Sequence, residues 1–192
     1  MGVVYEARQE SLDRRVALKT LHPEYARNQE SVTRFFNEAK VLSKLEHPSI
    51  VQVSDFGTAP DGTVYLVMEF LRGESLGHRL EELAARGERL SVLTTLQIAW
   101  QVADVLAVAH AMGVVHRDLK PDNLMLVADP VAPSGERVKL LDFGIAKITK
   151  DRDRSGLKTD TQAVMGTPMY MSPEQCAGAG GVDAKSDVYS LG

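Results

Sequence analysis

An aspartate, a lysine and an asparagine fall close together in the sequence, directly after an apolar pair of valines. These residues are Asp118, Lys120 and Asn123, and a further aspartate, Asp142, follows a second largely apolar run. Carboxylate and amide oxygens are the ligands that a hard cation such as Mg²⁺ prefers. Two loops that each leave a buried segment and each deliver an aspartate therefore indicate a divalent metal held between them.

Three motifs, taken together, resemble the eukaryotic-type serine/threonine protein kinases. His116–Asn123 resembles their catalytic loop, Asp142-Phe143-Gly144 their metal-binding loop, and Val16-Ala17-Leu18-Lys19 the strand whose lysine contacts the α- and β-phosphates. The later motif Ser172-Pro173-Glu174 is similar to the form found in bacterial members. The resemblance implies a catalytic domain that binds ATP and Mg²⁺ and phosphorylates serine or threonine hydroxyls on protein substrates.

The resemblance assigns roles to particular residues of this sequence. Asp118 is expected to be the catalytic base, helped by Asn123, and Lys120 is expected to face the transferred phosphate. Asn123 and Asp142 are expected to hold Mg²⁺. Asp187 is expected to brace the backbone of the catalytic loop, with a helix N-cap as a second interpretation. The residues that the resemblance places around ATP are Val4, Ala17, Lys19, Glu38, Met68, Glu69, Leu71, Met125 and Asp142.

Glu38 falls on the apolar stripe of a predicted helix. It shares one helical face with Val41, Leu42 and Leu45, at i+3, i+4 and i+7. Because an unpaired carboxylate is costly to bury, Glu38 needs a partner, and the resemblance implies that this partner is Lys19. The alternatives are that Glu38 reaches solvent at the edge of the stripe, and that Lys19 is an edge-strand lysine that reaches water.

A polar stretch with several serines and threonines follows the Asp-Phe-Gly triplet. By resemblance its end docks the protein substrate, with Thr167 as the docking residue. We expect Arg117 to receive a phosphate placed on Thr159 or Thr161, because phosphothreonine forms charge-assisted hydrogen bonds with arginine. The alternative is that both are ordinary loop threonines.

The order of strand-like and helical patterns, with the resemblance, predicts an α+β fold of two lobes. A small antiparallel sheet and the hinge occupy residues 1–71, which lack the start of the glycine-rich loop, and a partial, mainly helical lobe occupies residues 72–192. Gly2 is either the third glycine of that loop or an ordinary strand-entry glycine. The predicted elements are hairpin strands over 2–7 and 15–21, a helix over 31–46, strands over 50–56 and 63–70, a helical region from Leu76, a helix over 94–112 and a hairpin tip over 128–137.

Charge and cysteine content argue against several other classes. The net charge of −4 gives no reason to propose nucleic acid or an anionic membrane surface as a partner. The single cysteine, Cys176, excludes an intramolecular disulfide and a cysteine-based zinc site, and it favours the cytoplasm. We expect no membrane segment within the chain, since no apolar run approaches the ~20 residues of a span. A membrane anchor beyond Gly192 remains open.

The predicted activity is ATP-dependent phosphorylation of serine and threonine in proteins, and dimerisation for autophosphorylation is compatible with it. The alternative is a kinase-like binding module or an inactive fragment, because the sequence resembles a catalytic domain truncated at both ends. Inactive relatives usually lose the lysine, the catalytic aspartate or the metal aspartate. Lys19, Asp118 and Asp142 are all present, which favours the enzyme.

Overall fold

Two antiparallel sheets and six α-helices make up the part of the chain that the computed structural model describes, namely residues 2–143, 168–178 and 181–192. The strands are β1 (Gly2–Gln9), β2 (Arg14–Leu21), β3 (Val53–Thr58), β4 (Val64–Glu69), β5 (Gly73–Ser75), β6 (Leu124–Ala128) and β7 (Glu136–Leu140). The helices are α1 (Pro23–Ala26), α2 (Gln29–Leu42), α3 (Leu76–Ala85), α4 (Val92–Ala111), α5 (Pro173–Cys176) and α6 (Ala184–Leu191). The strand orders are β1-β2-β4-β3 and β5-β6-β7, which confirms the predicted α+β class.

The first sheet turns one face towards a buried core. Val64, Leu66 and Met68 of β4 are buried and their neighbours are half-buried, the alternation expected of a strand with one covered face. β2 lies between β1 and β4, and Lys19 is paired with Val4 on one side and with Leu66 on the other. Lys19 is therefore on an interior strand, and the edge-strand alternative is wrong.

Helix α2 carries the predicted apolar stripe but has different ends. It begins before the predicted residue 31, because the side chain of Asn28 caps it by accepting a hydrogen bond from Ser31 N at 3.0 Å. It ends at Leu42, after which the chain continues in single turns in which Leu45 N donates to Leu42 O at 3.2 Å. Leu45 is still buried. The apolar spacing that predicted a helix to residue 46 thus reflects packing rather than helical backbone.

The segment between α2 and β3 forms backbone hydrogen bonds with the second sheet, and the chain joins the first sheet only afterwards. Ile50 forms a parallel bridge with Leu140, and Leu140 N donates to Ser49 O at 2.8 Å. The prediction that β3 starts at residue 50 is therefore wrong, and β3 starts at Val53. β6 and β7 pair across the hairpin tip that was predicted over 128–137.

Helix α4 runs from a serine cap at Ser91 to a glycine stop. Gly113 has φ of 73°; Gly113 N donates to His110 O at 2.9 Å, and Val114 N donates to Ala109 O at 2.9 Å. This pair of bonds is the Schellman motif, which needs a residue in the left-handed region. This motif ends the helix predicted over 94–112, and the chain leaves it towards the catalytic loop.

Helix α4 also bears on the membrane prediction. By length and composition alone it is long and apolar enough to cross a membrane, so the expectation that no apolar run approaches that length is not met. A core helix passes the same test, and α4 has a core face on which Val102 and Gln101 are buried. Its other face exposes Leu93 and Trp100.

Helix α6 is capped by Asp183, whose carboxylate accepts a hydrogen bond from Lys185 N at 2.8 Å. Asp187 lies within the first turn of α6 and is buried. The interpretation of Asp187 as a helix N-cap is therefore wrong, because the cap lies four residues earlier in the chain and Asp187 is left available for contacts elsewhere.

The larger apolar core joins the two halves of the described chain. Leu42 and Ile50 belong to the first half of the chain, between β2 and β3. They pack in one cluster with residues of the second half, namely Val105, Leu140 and Phe143. A smaller core lies between α2 and the first sheet. The catalytic loop is therefore built over a core to which both halves contribute.

Candidate active site

The loop that follows α4 is held by one buried carboxylate. Asp187, which is 1% exposed, accepts hydrogen bonds from His116 N at 2.8 Å, Arg117 N at 2.8 Å and His110 Nε2 at 2.7 Å. Arg117 has φ of 65°, in the left-handed region that non-glycine residues seldom adopt. The predicted contact of Asp187 with the loop backbone is confirmed. His110 is a core histidine whose ring is paired with that same carboxylate.

Asp118 and Asn123 meet within this loop. Asn123 Nδ2 donates to Asp118 O at 2.8 Å and to Asp118 Oδ2 at 3.2 Å. A short 3-10 turn, Pro121–Asn123, makes this return of the chain possible, and Asn123 N donates to Lys120 O at 2.9 Å. Both side-chain bonds use the amide nitrogen of Asn123. The side-chain oxygen of Asn123, Oδ1, takes no part in these two bonds, and it is the atom of this amide that a hard cation prefers.

His116 connects the catalytic loop to the strand that leads to Asp142. Its Nε2 donates to Leu141 O at 2.8 Å, its Nδ1 accepts from Asp118 N at 3.3 Å, and its ring lies 4.8 Å from the ring of Phe143, centroid to centroid. Burial lowers the pKa of His116, so the imidazole is neutral with its proton on Nε2. Sequence reasoning gave His116 no role. The only feature of the sequence that could have indicated a role is the position of His116 directly after the apolar pair of valines.

A backbone hydrogen bond links the two segments that carry the predicted metal-ligand residues. Leu141 N donates to Asn123 O at 2.8 Å, which joins the backbone of the catalytic loop to the residue before Asp142. Asp142 has φ of 42°, and its carboxylate is half-exposed. A carboxylate and an amide oxygen on adjoining loops are a donor set of the kind that Mg²⁺ takes, together with water and phosphate oxygens.

Lys19 lies between two carboxylates. Its Nζ is 2.6 Å from Asp142 Oδ1 and 3.5 Å from Glu38 Oε1. Glu38 is only 6% exposed. The predicted pairing of Lys19 with Glu38 is confirmed, and the alternative of a solvent-facing Glu38 is wrong. The pair joins the interior strand β2 to the apolar face of α2.

The charges in this cluster move two pKa values. Desolvation raises the pKa of Glu38 to about 7, because it outweighs the attraction of Lys19, and the negative charge of Asp142 adds to the rise. Desolvation lowers the pKa of Lys19, but the charges of Glu38 and Asp142 outweigh it and the net pKa is raised. The two directions agree, because one ammonium group has two carboxylate neighbours that compete for it.

The predicted hinge residues follow the interior strands. Met68 is buried at the end of β4 and is paired with Ala17 of β2. Glu69 N donates to Gln52 O at 2.9 Å, so the N–H of this residue is already paired within the protein. Glu69 Oε1 is 2.6 Å from Lys139 Nζ, a contact between the hinge and β7 that sequence reasoning missed.

The other residues predicted around ATP occupy several positions. Val4 is exposed on β1 opposite Lys19, and Leu71 packs at the margin of the smaller core. Met125 lies on the second sheet opposite Lys139. Lys120 shares a cavity of about 10 Å³ with Asp118. The predicted residues Gly144, Thr159, Thr161 and Thr167 lie outside the described part of the chain.

Comparison with known proteins accords with this geometry. The family model of the protein kinase domain matches residues 1–192, and the chain belongs to that family. It is 43% identical over 192 residues to the serine/threonine-protein kinase pkn3 of Myxococcus xanthus, covering all of this chain and 34% of that protein. It is 42% identical over 196 residues to the serine/threonine-protein kinase PknA of Mycobacterium tuberculosis, covering 42% of that protein.

The fold is similar to solved kinase domains as well. The crystal structure of the Mycobacterium tuberculosis PknI kinase domain matches with a TM-score of 0.70 at 32% identity, over all of this chain and 66% of that chain. The chain thus spans less than half of the curated relatives named above and about two thirds of this solved domain. The resemblance seen in the sequence is confirmed at the level of family and fold.

The raised pKa of Glu38 predicts a stability that falls as the pH rises. An unfolded glutamate has a pKa of 4.5 and the folded one about 7; between these values the folded chain binds the additional proton, so the free energy of unfolding decreases with pH. From about pH 5 to about pH 8 we expect the wild type to lose about 2–3 kcal/mol more than Glu38→Gln, which has no proton to release. Urea unfolding at several pH values measures both. Parallel pH dependences would contradict the assignment.

Proposed function

We propose that the protein transfers the γ-phosphoryl group of ATP to serine or threonine hydroxyls of protein substrates. The observation that carries the proposal is the convergence of Asp118, Asn123, Asp142 and Lys19 on adjoining loops and strands, joined by hydrogen bonds and ion pairs. Phosphoryl transfer needs little covalent chemistry from the protein. It needs positioned groups and positive charge against the phosphates.

Asp118 is the residue that accepts or orients the proton of the attacking hydroxyl. Asn123 bonds to its backbone and its carboxylate, which fixes where that carboxylate lies. Lys120, two residues later, faces the transferred phosphate and offsets its charge. A base of this kind contributes when it is held at hydrogen-bond distance from the proton that moves.

Lys19 holds the α- and β-phosphates of ATP. In the structure its ammonium group contacts Asp142 and Glu38, which keeps it at the junction of the first sheet and the catalytic loop. Nucleotide binding places phosphate oxygens beside the same ammonium group. Glu38 then serves to orient Lys19 from the side that is away from solvent.

Mg²⁺ would be held by Asn123 and Asp142, which offer the oxygen donors that this ion prefers. When bound, it neutralises charge on the phosphates. The adenine would lie between the lobes, against Val4, Ala17, Met68, Leu71 and Met125. The carbonyl of Glu69 is the hinge acceptor in this proposal, because its N–H donates to Gln52 O.

A magnesium-ATP phosphorylation assay with a protein acceptor rich in serine and threonine tests the proposal. For Asp118→Asn we expect incorporation to fall by about 10²–10⁴-fold, the contribution of a positioned proton acceptor. Asp122→Asn is the matched control, because it makes the same charge change at an exposed position of the same loop. The labelled residues should be phosphoserine and phosphothreonine.

Equal incorporation by the wild type and Asp118→Asn would refute the role of Asp118. A wild type that binds ATP but transfers no phosphate would instead favour the alternative, a kinase-like binding module. The protein should be expressed from its whole reading frame, and melting temperatures should confirm that each variant is folded.

The regulatory proposal is that phosphate on Thr159 or Thr161 pairs with Arg117. Among the described residues, Arg117 Nε is buried without a hydrogen-bond partner, and a buried donor of this kind favours an acceptor supplied by another part of the chain. We expect the double variant Thr159→Ala/Thr161→Ala to lose activity about tenfold, while the exposed-threonine control Thr33→Ala retains it. Mass spectrometry of the active wild type should find phosphate on at least one of the two threonines. Unchanged activity of the double variant would contradict the regulatory proposal.

A further inference from the structure

The side chain of Gln175 reaches from the start of α5 to the catalytic loop. Its Oε1 accepts from Ser172 N at 3.0 Å, a local contact that belongs to the capping of α5. Its Nε2 donates to Arg117 O at 2.8 Å, across 58 residues of sequence. Capping accounts for the first contact only. The second contact joins the Ser-Pro-Glu motif to the residue that precedes Asp118.

The peptide groups on either side of Arg117 are thereby held from two directions. Arg117 N donates to Asp187 Oδ1 at 2.8 Å, and Arg117 O accepts from Gln175. Arg117 has φ of 65°, a conformation that persists in a non-glycine residue only when its surroundings hold it. Its carbonyl belongs to the peptide unit whose N–H is that of Asp118. Rotation of this unit would turn the Asp118 carboxylate.

We propose that Gln175 is a positioning residue for phosphoryl transfer, which fixes the peptide unit between Arg117 and Asp118 and so couples the Ser-Pro-Glu segment to the catalytic aspartate. This inference rests on the proposed function. An amide side chain can make both contacts at once, because one of its atoms accepts and the other donates. Gln175, Asp118 and Lys120 also line the same small cavity. The side chain of Gln175 therefore lies close to the residue whose position it is proposed to fix.

Two substitutions separate the donated bond from the accepted one. Gln175→Leu removes both. Gln175→Glu keeps an oxygen for Ser172 N but, when ionised, sets a negative oxygen against the Arg117 carbonyl; a protonated carboxyl group donates to it again. Cys176→Ala is the control, because Cys176 lies in the same turn and is exposed.

We expect kcat of Gln175→Leu to fall about tenfold or more, with KM for ATP within about twofold of the wild type, because nucleotide contacts are made elsewhere. Gln175→Glu should be no more active than Gln175→Leu near pH 8 and should exceed it as the pH falls towards about 4.3, the ordinary pKa of a glutamate, because the carboxyl group then takes up its proton. Loss of stability alone would not produce this difference between the two variants.

Hydrogen exchange of the amides at residues 116–118 gives a readout that does not depend on activity. In Gln175→Leu these amides should exchange at least about threefold faster, while those of β2 and β4 are unchanged. A wild type that transfers no phosphate refutes the proposed function, and exchange still tests the contact. An active wild type with unaltered kcat and exchange in Gln175→Leu overturns only the inference. So does failure of both Gln175 variants to fold, which would assign Gln175 a global structural role.

Discussion

One buried carboxylate, that of Asp187, determines the shape of the catalytic loop. It lies in the first turn of α6 and accepts three hydrogen bonds, two of them from consecutive backbone amides of the loop. A buried carboxylate is costly unless its oxygens are bonded, and a left-handed Arg117 is costly unless its peptide groups are held. Each requirement satisfies the other. The hydrogen bonds that hold this shape come from α6, so the candidate site depends on the docking of α6.

A second polar junction, around Lys19, depends on the first. Lys19 contacts Asp142, which follows the strand bonded to the catalytic loop through His116 and Leu141. The first sheet thus contacts the catalytic loop through a chain of charged and neutral hydrogen bonds rather than through apolar packing alone. Interactions in such a network reinforce one another where water is excluded. A neutral His116 suits this position, because it can accept from one loop and donate to the other.

The sequence predicted the features that local pattern or composition can carry. The hairpin of β1 and β2, the apolar stripe of α2 and the extent of α4 each follow from residue types a few positions apart. The position of Glu38 on an apolar stripe indicated that its carboxylate needs a partner, and the family resemblance identified that partner as Lys19. The predicted end of α2 was wrong. Leu45 is buried and keeps the spacing of a helical core residue, but the helix ends before it, at Leu42.

Contacts between distant segments could not be predicted from spacing. The Gln175 contact with Arg117 spans 58 residues and the Lys19 contact with Asp142 spans 123; Ser172 and Gln175 fit a capping pattern that indicates a helix start and nothing more. The resemblance correctly assigned Asp187 to the catalytic loop, whereas its second interpretation as a helix cap is wrong, because Asp183 fills that role.

The most direct test of the central constraint is Asp187→Asn, which places an NH₂ group among three donors. We expect a folded protein that binds ATP normally and has kcat lowered about a hundredfold; a folded Asp187→Asn with the wild-type kcat would contradict the dependence of the catalytic loop on this carboxylate.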